Sequence, residues 1–192
     1  MSDARILLIY GTGHGQTAKI ARRLARRFED GGARVDVFWG KNLSVEATFR
    51  DYDVVVLGSS VHMQKHHDYI EEFARAHAPF LNTVPSAFFS VSAARGSDEP
   101  EAIREAQSIV DDFRTRSGWD PHLTETLAGG LPYTRYGPIT KNVMQLISRL
   151  NDGETDCSRD WEYTNWTRVD EFADAVLRLP STRPTLEGEA AE

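Results

Sequence analysis

Cysteine is almost missing from this chain of 192 residues, which has only Cys157. An internal disulfide is therefore impossible, and no cysteine-built zinc or iron–sulfur site can be assembled. Such sparing use suits a reducing compartment. Long apolar runs are absent as well: no window approaches the ~20 residues that a membrane-spanning helix requires. No basic segment followed by an apolar stretch precedes the strand-like run that starts at Arg5. That argues against a secretory leader and for a cytoplasmic location. Positive charge is also in short supply, with a formal net charge of -7. Residues 1–150 hold 18 acids and 18 bases, whereas 151–192 hold 11 acids and 4 bases, so the whole excess lies at the C-terminal end. A phosphate-tracking surface needs a basic surplus, so nucleic-acid binding is not expected.

What is present is an ordinary globular composition, 40% hydrophobic and 27% charged, at a length that favours one domain. Four short apolar segments read as strands: Arg5–Tyr10, Arg34–Phe38, Asp53–Leu57 and Ser86–Val91, with Leu123–Leu127 a weaker fifth. Their continuous Val, Ile and Phe content suits strands covered on both faces. Between them lie helical patterns. Gln16–Asp30 puts Ile20, Ala21, Leu24, Ala25 and Phe28 on one face and stops at Gly31-Gly32. Asp68–His77 is ended by Pro79, and Glu99–Thr115 sets Ile103, Ala106, Ile109, Val110 and Phe113 in register. The last helix, Trp166–Leu179, meets Pro180 and has Thr164 or Asn165 as its N-cap. Strand–helix alternation implies an α/β, doubly wound five-stranded parallel sheet with helices on both faces. Residues 1–179 form the expected domain, and the polar, aperiodic 180–192 an expected disordered tail.

In such a sheet, ligands bind beyond the carboxyl ends of the strands. The first of these loops is Gly11-Thr12-Gly13-His14-Gly15-Gln16-Thr17, between an apolar strand and an amphipathic helix. Glycines let amides turn inward, threonines add hydroxyl donors, and the helix N-terminus adds partial positive charge, which together make a phosphate cradle. A nucleoside-triphosphate loop would need Gly-Lys-Ser/Thr, and Gly15-Gln16-Thr17 lacks the lysine. A dinucleotide loop would need glycine or alanine where Gln16 stands, although Asp36 at the end of the second strand could hold a ribose. The loop Thr12-Gly13-His14-Gly15-Gln16-Thr17 resembles the hydroxyl-rich segment by which flavodoxins hold the monophosphate of FMN, with Gly13 and His14 as departures.

The flavodoxin-like resemblance extends to two further loops. It implies that Gly58-Ser59-Ser60-Val61-His62 and Ser92-Ala93-Ala94-Arg95 flank the isoalloxazine ring, with small Gly58 and Ser59 letting the backbone approach and His62, Met63, His66 and His67 near its rim. His62 and His66 could share a helical face at i, i+4 spacing. No carboxylate or cysteine completes a ligand set, so no metal is expected.

After the fifth strand comes Ala128–Pro138 and then an apolar run to Leu150, with Arg135, Lys141 and Arg149 and no acid from Ala128 to Leu150. Such a run can lie on an anionic membrane, cover a hydrophobic substrate, or pack on the sheet as an ordinary core-facing helix. The ordered set GTGHGQT, GSSVHMQKHHDYIEEFARAH, PSAFFSV, AGGLPYTRY and GETD…YTNW is similar to the menaquinone-dependent protoporphyrinogen dehydrogenases, over roughly Arg5 to Leu179. One departure is Arg95–Glu101, which carries three acids where that family tends to be basic. The resemblance implies an FMN flavoprotein of heme biosynthesis, passing electrons from porphyrinogen to a quinone, with peripheral contact at the inner face of the cell membrane through 138–150. The implied FMN residues are Thr12, Gly13, His14, Gly15, Gln16, Thr17, Ser59, Ser60, Val61, His62, Ser92, Ala93, Ala94 and Arg95. Arg135 and Lys141 are expected to meet substrate propionates, with His66 and His67 beside them. A flavodoxin-type electron carrier with a protein redox partner and an NAD(P)H:quinone reductase are the alternatives. No proton-transfer residue is singled out.

Overall fold

In a doubly wound protein each strand must bury both faces, and β1 (Arg5–Gly11) shows how this sequence does so. Ile6 and Leu8 enter one apolar cluster while Leu7 and Ile9 enter another, as the two-residue period of a strand dictates. The first cluster is closed by α1 (Gln16–Asp30) and the C-terminal helix, α4 (Trp166–Leu177), through Ile20, Leu24, Phe28, Val169 and Phe172. On the opposite face α2 (Asp68–Leu81) and α3 (Pro100–Ser117) contribute Ile70, Ala74, Val110 and Phe113. The computed structural model describes residues 4–43, 51–92, 95, 99–131 and 161–180. Ala93, Ala94, Arg135, Lys141, the 138–150 run and residues 181–192 of the expected tail lie outside them.

The remaining strands are β2 (Arg34–Trp39), β3 (Val54–His62), β4 (Lys65–His66), β5 (Ser86–Ser92), β6 (Leu123–Ala128) and the short β7 (Gly130–Leu131) and β8 (Trp161–Glu162). Five run parallel in the order β2-β1-β3-β5-β6. Strand order therefore reverses at β1, and the loops after β1 and β3 open onto the switch point. The expected fold class holds, with four departures in detail.

First, β3 does not stop at Leu57. It continues through Gly58-Ser59-Ser60-Val61-His62 and turns at Met63-Gln64 into the antiparallel β4. Met63 and Gln64 both take left-handed backbone, at φ 48° and 63°, as a tight two-residue hairpin demands. Second, β2 is an edge strand whose Val37, Phe38 and Trp39 remain 38–39% exposed, so its apolar content does not reflect cover on both faces. Third, α2 runs through Pro79 to Leu81. In the last turn the proline removes only the bond that its own N–H would have made, and Asn82 N–H still reaches Ala78 O at 2.9 Å. Fourth, Ile103 is exposed, so the buried stripe of α3 begins at Ala106.

The C-terminal helix is fastened to the first by ion pairs. Arg23 meets Asp170 through two bonds of 2.8 and 2.7 Å, and Arg27 meets Asp174 at 2.6 Å. Solvent screens exposed pairs of this kind, so they set the register of α4 more than they hold the fold.

Candidate active site

The turn from β1 into α1 is built around Gly15, whose φ of 98° makes it the left-handed N-cap of the helix. Thr12 Oγ1 accepts from the Gly15 amide at 2.9 Å and closes the loop on itself. Helix α1 has no side-chain cap and no acid in its first turn, so its first-turn amides face the loop without a competing anion of their own. Thr17, only 1% exposed, has its Oγ1 buried with no hydrogen-bond partner. An orphaned hydroxyl costs about 1–3 kcal/mol, and native structures retain one only where something else satisfies it. A phosphate would, since helix N-terminal amides and a hydroxyl donor converge here. On this observation the residues fit the phosphate of FMN.

The hairpin supplies the next wall. Ser60 Oγ accepts from the Gly13 amide at 3.3 Å and lies 3.0 Å from His67 Nε2. His67 N–H donates to Ser59 Oγ at 3.1 Å. His67 thus packs beneath the first loop, stacked on Tyr69 with ring centroids 5.0 Å apart. Its pKa is lowered, first by burial and then by the charges of His62, His14 and Lys41, with Asp68 opposing. These groups border a cavity of about 310 Å³ that also takes in Gln16, Val61, Val91, Ser92, Gly129 and Gly130. Its size is at the lower end of ordinary small-molecule sites.

Placement of the expected site residues is now plain. Thr12, Gly13, His14, Gln16, Thr17, Ser60, Val61, His62, His67 and Ser92 line this cavity, with Gly15 shaping its loop. Ser59 is buried below it and braces His67. Three residues fall elsewhere. His66, 2% exposed, is a core residue: its ring meets Phe88 and Phe113 edge-on, and its Nε2 lies 2.9 Å from Ser90 Oγ. Burial, then the charges of Arg116 and His67, push its pKa down to about 3, so it stays neutral and is not at the rim. Gly58 is small for Phe89 rather than for a ring, because a Cβ there would lie 2.0 Å from Phe89 Cζ. Arg95 lines a separate cavity, described next. The hairpin also cancels the helical His62/His66 pairing: His62 faces Lys65, and His66 faces Val61. Among the described residues no group of His, Cys, Asp and Glu could hold a metal ion.

The second cavity, of about 170 Å³, is lined by Arg95, Thr126, Leu127, Ala128, Tyr163, Asn165 and Arg168. Arg168 donates to Glu125 Oε1 at 2.6 Å. Burial pushes the Glu125 carboxyl up, while the Thr126 amide and the Arg95 charge hold it down. Thr164, expected only as a possible helix cap, instead joins the walls: its Oγ1 accepts from Gln16 Nε2 and donates to Ala128 O, both at 2.8 Å. Asn165 is the cap, accepting from Arg168 N–H. Sequence reasoning missed Tyr163 and Arg168. The YTNW motif marks their neighbourhood, but only the return of β8 beside β7 brings them to the ends of β5 and β6.

A sheet in flavodoxin order with an anion cradle at its switch point defines a class. The flavodoxin domain family model matches residues 7–158, and the chain belongs to that family. Oxidised flavodoxin 1 of Bacillus cereus shares the fold, with a TM-score of 0.53 at 13% identity over 93% of this chain and 100% of that one. A narrower membership follows from full-length relatives. The protoporphyrinogen IX dehydrogenase (quinone) of Escherichia coli K12 is 33% identical over 182 residues, covering 95% of this chain and 99% of the relative. The protein of the same name from Leishmania major is 32% identical over 94% of this chain and 78% of its own length. The chain is a member of the protoporphyrinogen IX dehydrogenase (quinone) family within the flavodoxin fold.

Proposed function

We propose that this protein is an FMN-dependent oxidoreductase that oxidises protoporphyrinogen IX to protoporphyrin IX with a quinone as electron acceptor. The observation that carries this reading is the end-to-end 33% identity with the Escherichia coli enzyme, joined in the structure by the cradle around Thr17 Oγ1. When bound, FMN supplies the two-electron acceptor for substrate hydrogens and the donor to the quinone. The chain's own part is binding and exclusion of water. Thr12 and Gly15 fix the phosphate loop, and Thr17 offers the buried hydroxyl. Ser60 and His67 brace the loop from the hairpin, and His62, Val91, Ser92, Gly129 and Gly130 shape the wall nearer the ring. Ala93 and Ala94 are assigned to that wall from the family resemblance alone.

The sequence supports contact with an anionic membrane surface through 138–150, where basic Arg135, Lys141 and Arg149 flank the apolar run without an acid. No helix among the described residues is long and apolar enough to cross a bilayer. The reading predicts that protoporphyrinogen bleaches the flavin of the purified protein without oxygen and that a menaquinone analogue restores it. Unchanged flavin absorbance with porphyrinogen would overturn it, and single-electron exchange with a protein partner would then favour a carrier. Co-sedimentation with anionic but not neutral vesicles tests the membrane contact.

A further inference from the structure

The second cavity is lined by none of the residues of the phosphate cradle, yet it adjoins the first. Its floor, Leu127 and Ala128, is paired in the sheet with Val91 and Ser92 of the first cavity. Adjacent strands are about 4.8 Å apart, so the two spaces share one wall. They also share a pillar. Gly129 N–H donates to Ser92 O at 2.9 Å and Tyr163 N–H to Gly129 O at 3.2 Å, so Gly129 and Gly130 face one cavity and Tyr163 the other.

Among the described residues, the lining of the second cavity contains two arginines and no acid, while Glu125, outside the lining, faces the charges of both. Arg95 is 8% exposed, a degree of burial that guanidinium groups rarely reach. Its backbone amide is held by Ser92 Oγ at 3.3 Å, so the residue is carried by the same turn that ends β5 beside the first cavity. Arg168 is kept in place from behind by Glu125, which is not part of the lining. Thr126, Tyr163 and Asn165 add neutral polar groups, and Asn165 caps the N-terminus of α4, whose dipole favours a negative charge at that end. Charge, shape and position therefore suit a carboxylate on a planar molecule that reaches across the shared wall to the first cavity.

We infer that the cavity between Arg95 and Arg168 is a carboxylate subsite that holds a propionate of the porphyrin substrate while the macrocycle lies against the flavin. The identity of the ligand rests on the function proposed above; the carboxylate chemistry rests on the lining. The subsite would orient the substrate and discriminate acids from esters, leaving the redox step to the flavin.

The test uses the FMN-loaded full chain and two probes, protoporphyrin IX and its dimethyl ester, each titrated by quenching of tryptophan fluorescence. The diacid is expected to bind at least about tenfold more tightly than the diester, as loss of a charge-assisted contact implies. Arg95→Gln and Arg168→Gln should each weaken the diacid about tenfold while ester and FMN affinities stay as in the wild type. Arg168→Lys should recover only part of the loss, because a lysine cannot reproduce the two-pronged contact. Equal binding of diacid and diester by the wild type, which needs no variant to fold, would overturn the inference; so would unchanged diacid affinity in both glutamine variants. If porphyrinogen fails to bleach the flavin but the acid preference and its loss in the variants are seen, the carboxylate site stands and the proposed reaction falls. If the flavin is bleached but acid and ester bind alike, the reaction stands and the subsite falls.

Discussion

Replacing Thr17 with valine separates binding from folding, because the two should move in opposite directions. The side chain is 1% exposed and its Oγ1 has no partner, so in the ligand-free protein the hydroxyl is a desolvated donor with nothing to receive it. Valine keeps the branched shape and removes that burden, which is about 1–3 kcal/mol for an unsatisfied buried polar group. Taking the lower figure, ligand-free stability should rise by about 1 kcal/mol, or a melting temperature higher by about 2–4 °C for a chain of this size. The same substitution deletes a hydrogen bond to a charged phosphate, which contributes about 1.5–3 kcal/mol. The Kd for FMN should therefore increase by about 10- to 150-fold. Fluorescence quenching of FMN on titration with protein gives the affinity, and a thermal melt of the ligand-free variant gives the stability. An affinity within twofold of the wild type, or a ligand-free variant destabilised by more than about 1 kcal/mol, would refute the argument. Either result would mean that the hydroxyl is satisfied within the protein and does not await an anion.

Three further outcomes are expected. Gly58→Ala should lower stability by at least about 1–3 kcal/mol in a urea titration, since its Cβ would lie 2.0 Å from Phe89; unchanged stability would show that the hairpin base shifts freely. His66, with its pKa pushed down to about 3 in the fold, binds a proton more readily when unfolded. Its contribution is complete above the unfolded value near 6.5 and is lost as pH falls towards 3, on the order of 2 kcal/mol between pH 7 and 5. His66→Gln should be less stable at pH 7 but flatter across that window, and an equally steep slope would assign the effect elsewhere. Met63→Asn should stabilise the hairpin by up to about 1 kcal/mol, because asparagine tolerates φ of 48° better than methionine and the 84%-exposed side chain gives up little packing. A loss of stability would show that the methionine packs in solution.

The parts of the fold that the sequence displayed were those governed by local repetition. Strand β1, helix α1 and strand β5 repeat apolar side chains at the period of their own structure, and the Gly-Thr-rich turn between the first two carries its chemistry in consecutive residues. Where the outcome depended on distant partners, the reading failed. Gly58-Ser59-Ser60 looks like a break, yet the strand continues because β4 pairs with its end and Ser59 and Ser60 find His67 and Gly13. The histidine cluster read as one functional group divides in two. His66 turns into the Phe88–Phe113 core, whereas His67 turns under the phosphate loop. Nothing in the order of residues 62–67 signals that difference, since it follows from His66 ending the hairpin strand and His67 capping the start of α2, not from the composition of a loop. Arg95 and Arg168 lie far apart in sequence and become neighbours only through the placement of β6 and α4.

The short ladder between β7 and β8 has an architectural consequence. Gly130 and Glu162 are cross-strand partners, so the chain departs and re-enters at adjoining points, with β8 tied to α1 by Lys19–Glu162 and α4 tied to α1 by the two arginine–aspartate clasps. A tight reversal joining Leu131 directly to Trp161 would therefore keep every described partner of the parallel sheet. A version shortened in that way that still turns yellow with FMN yet ignores porphyrinogen would assign cofactor retention to the sheet and substrate choice to residues 132–160.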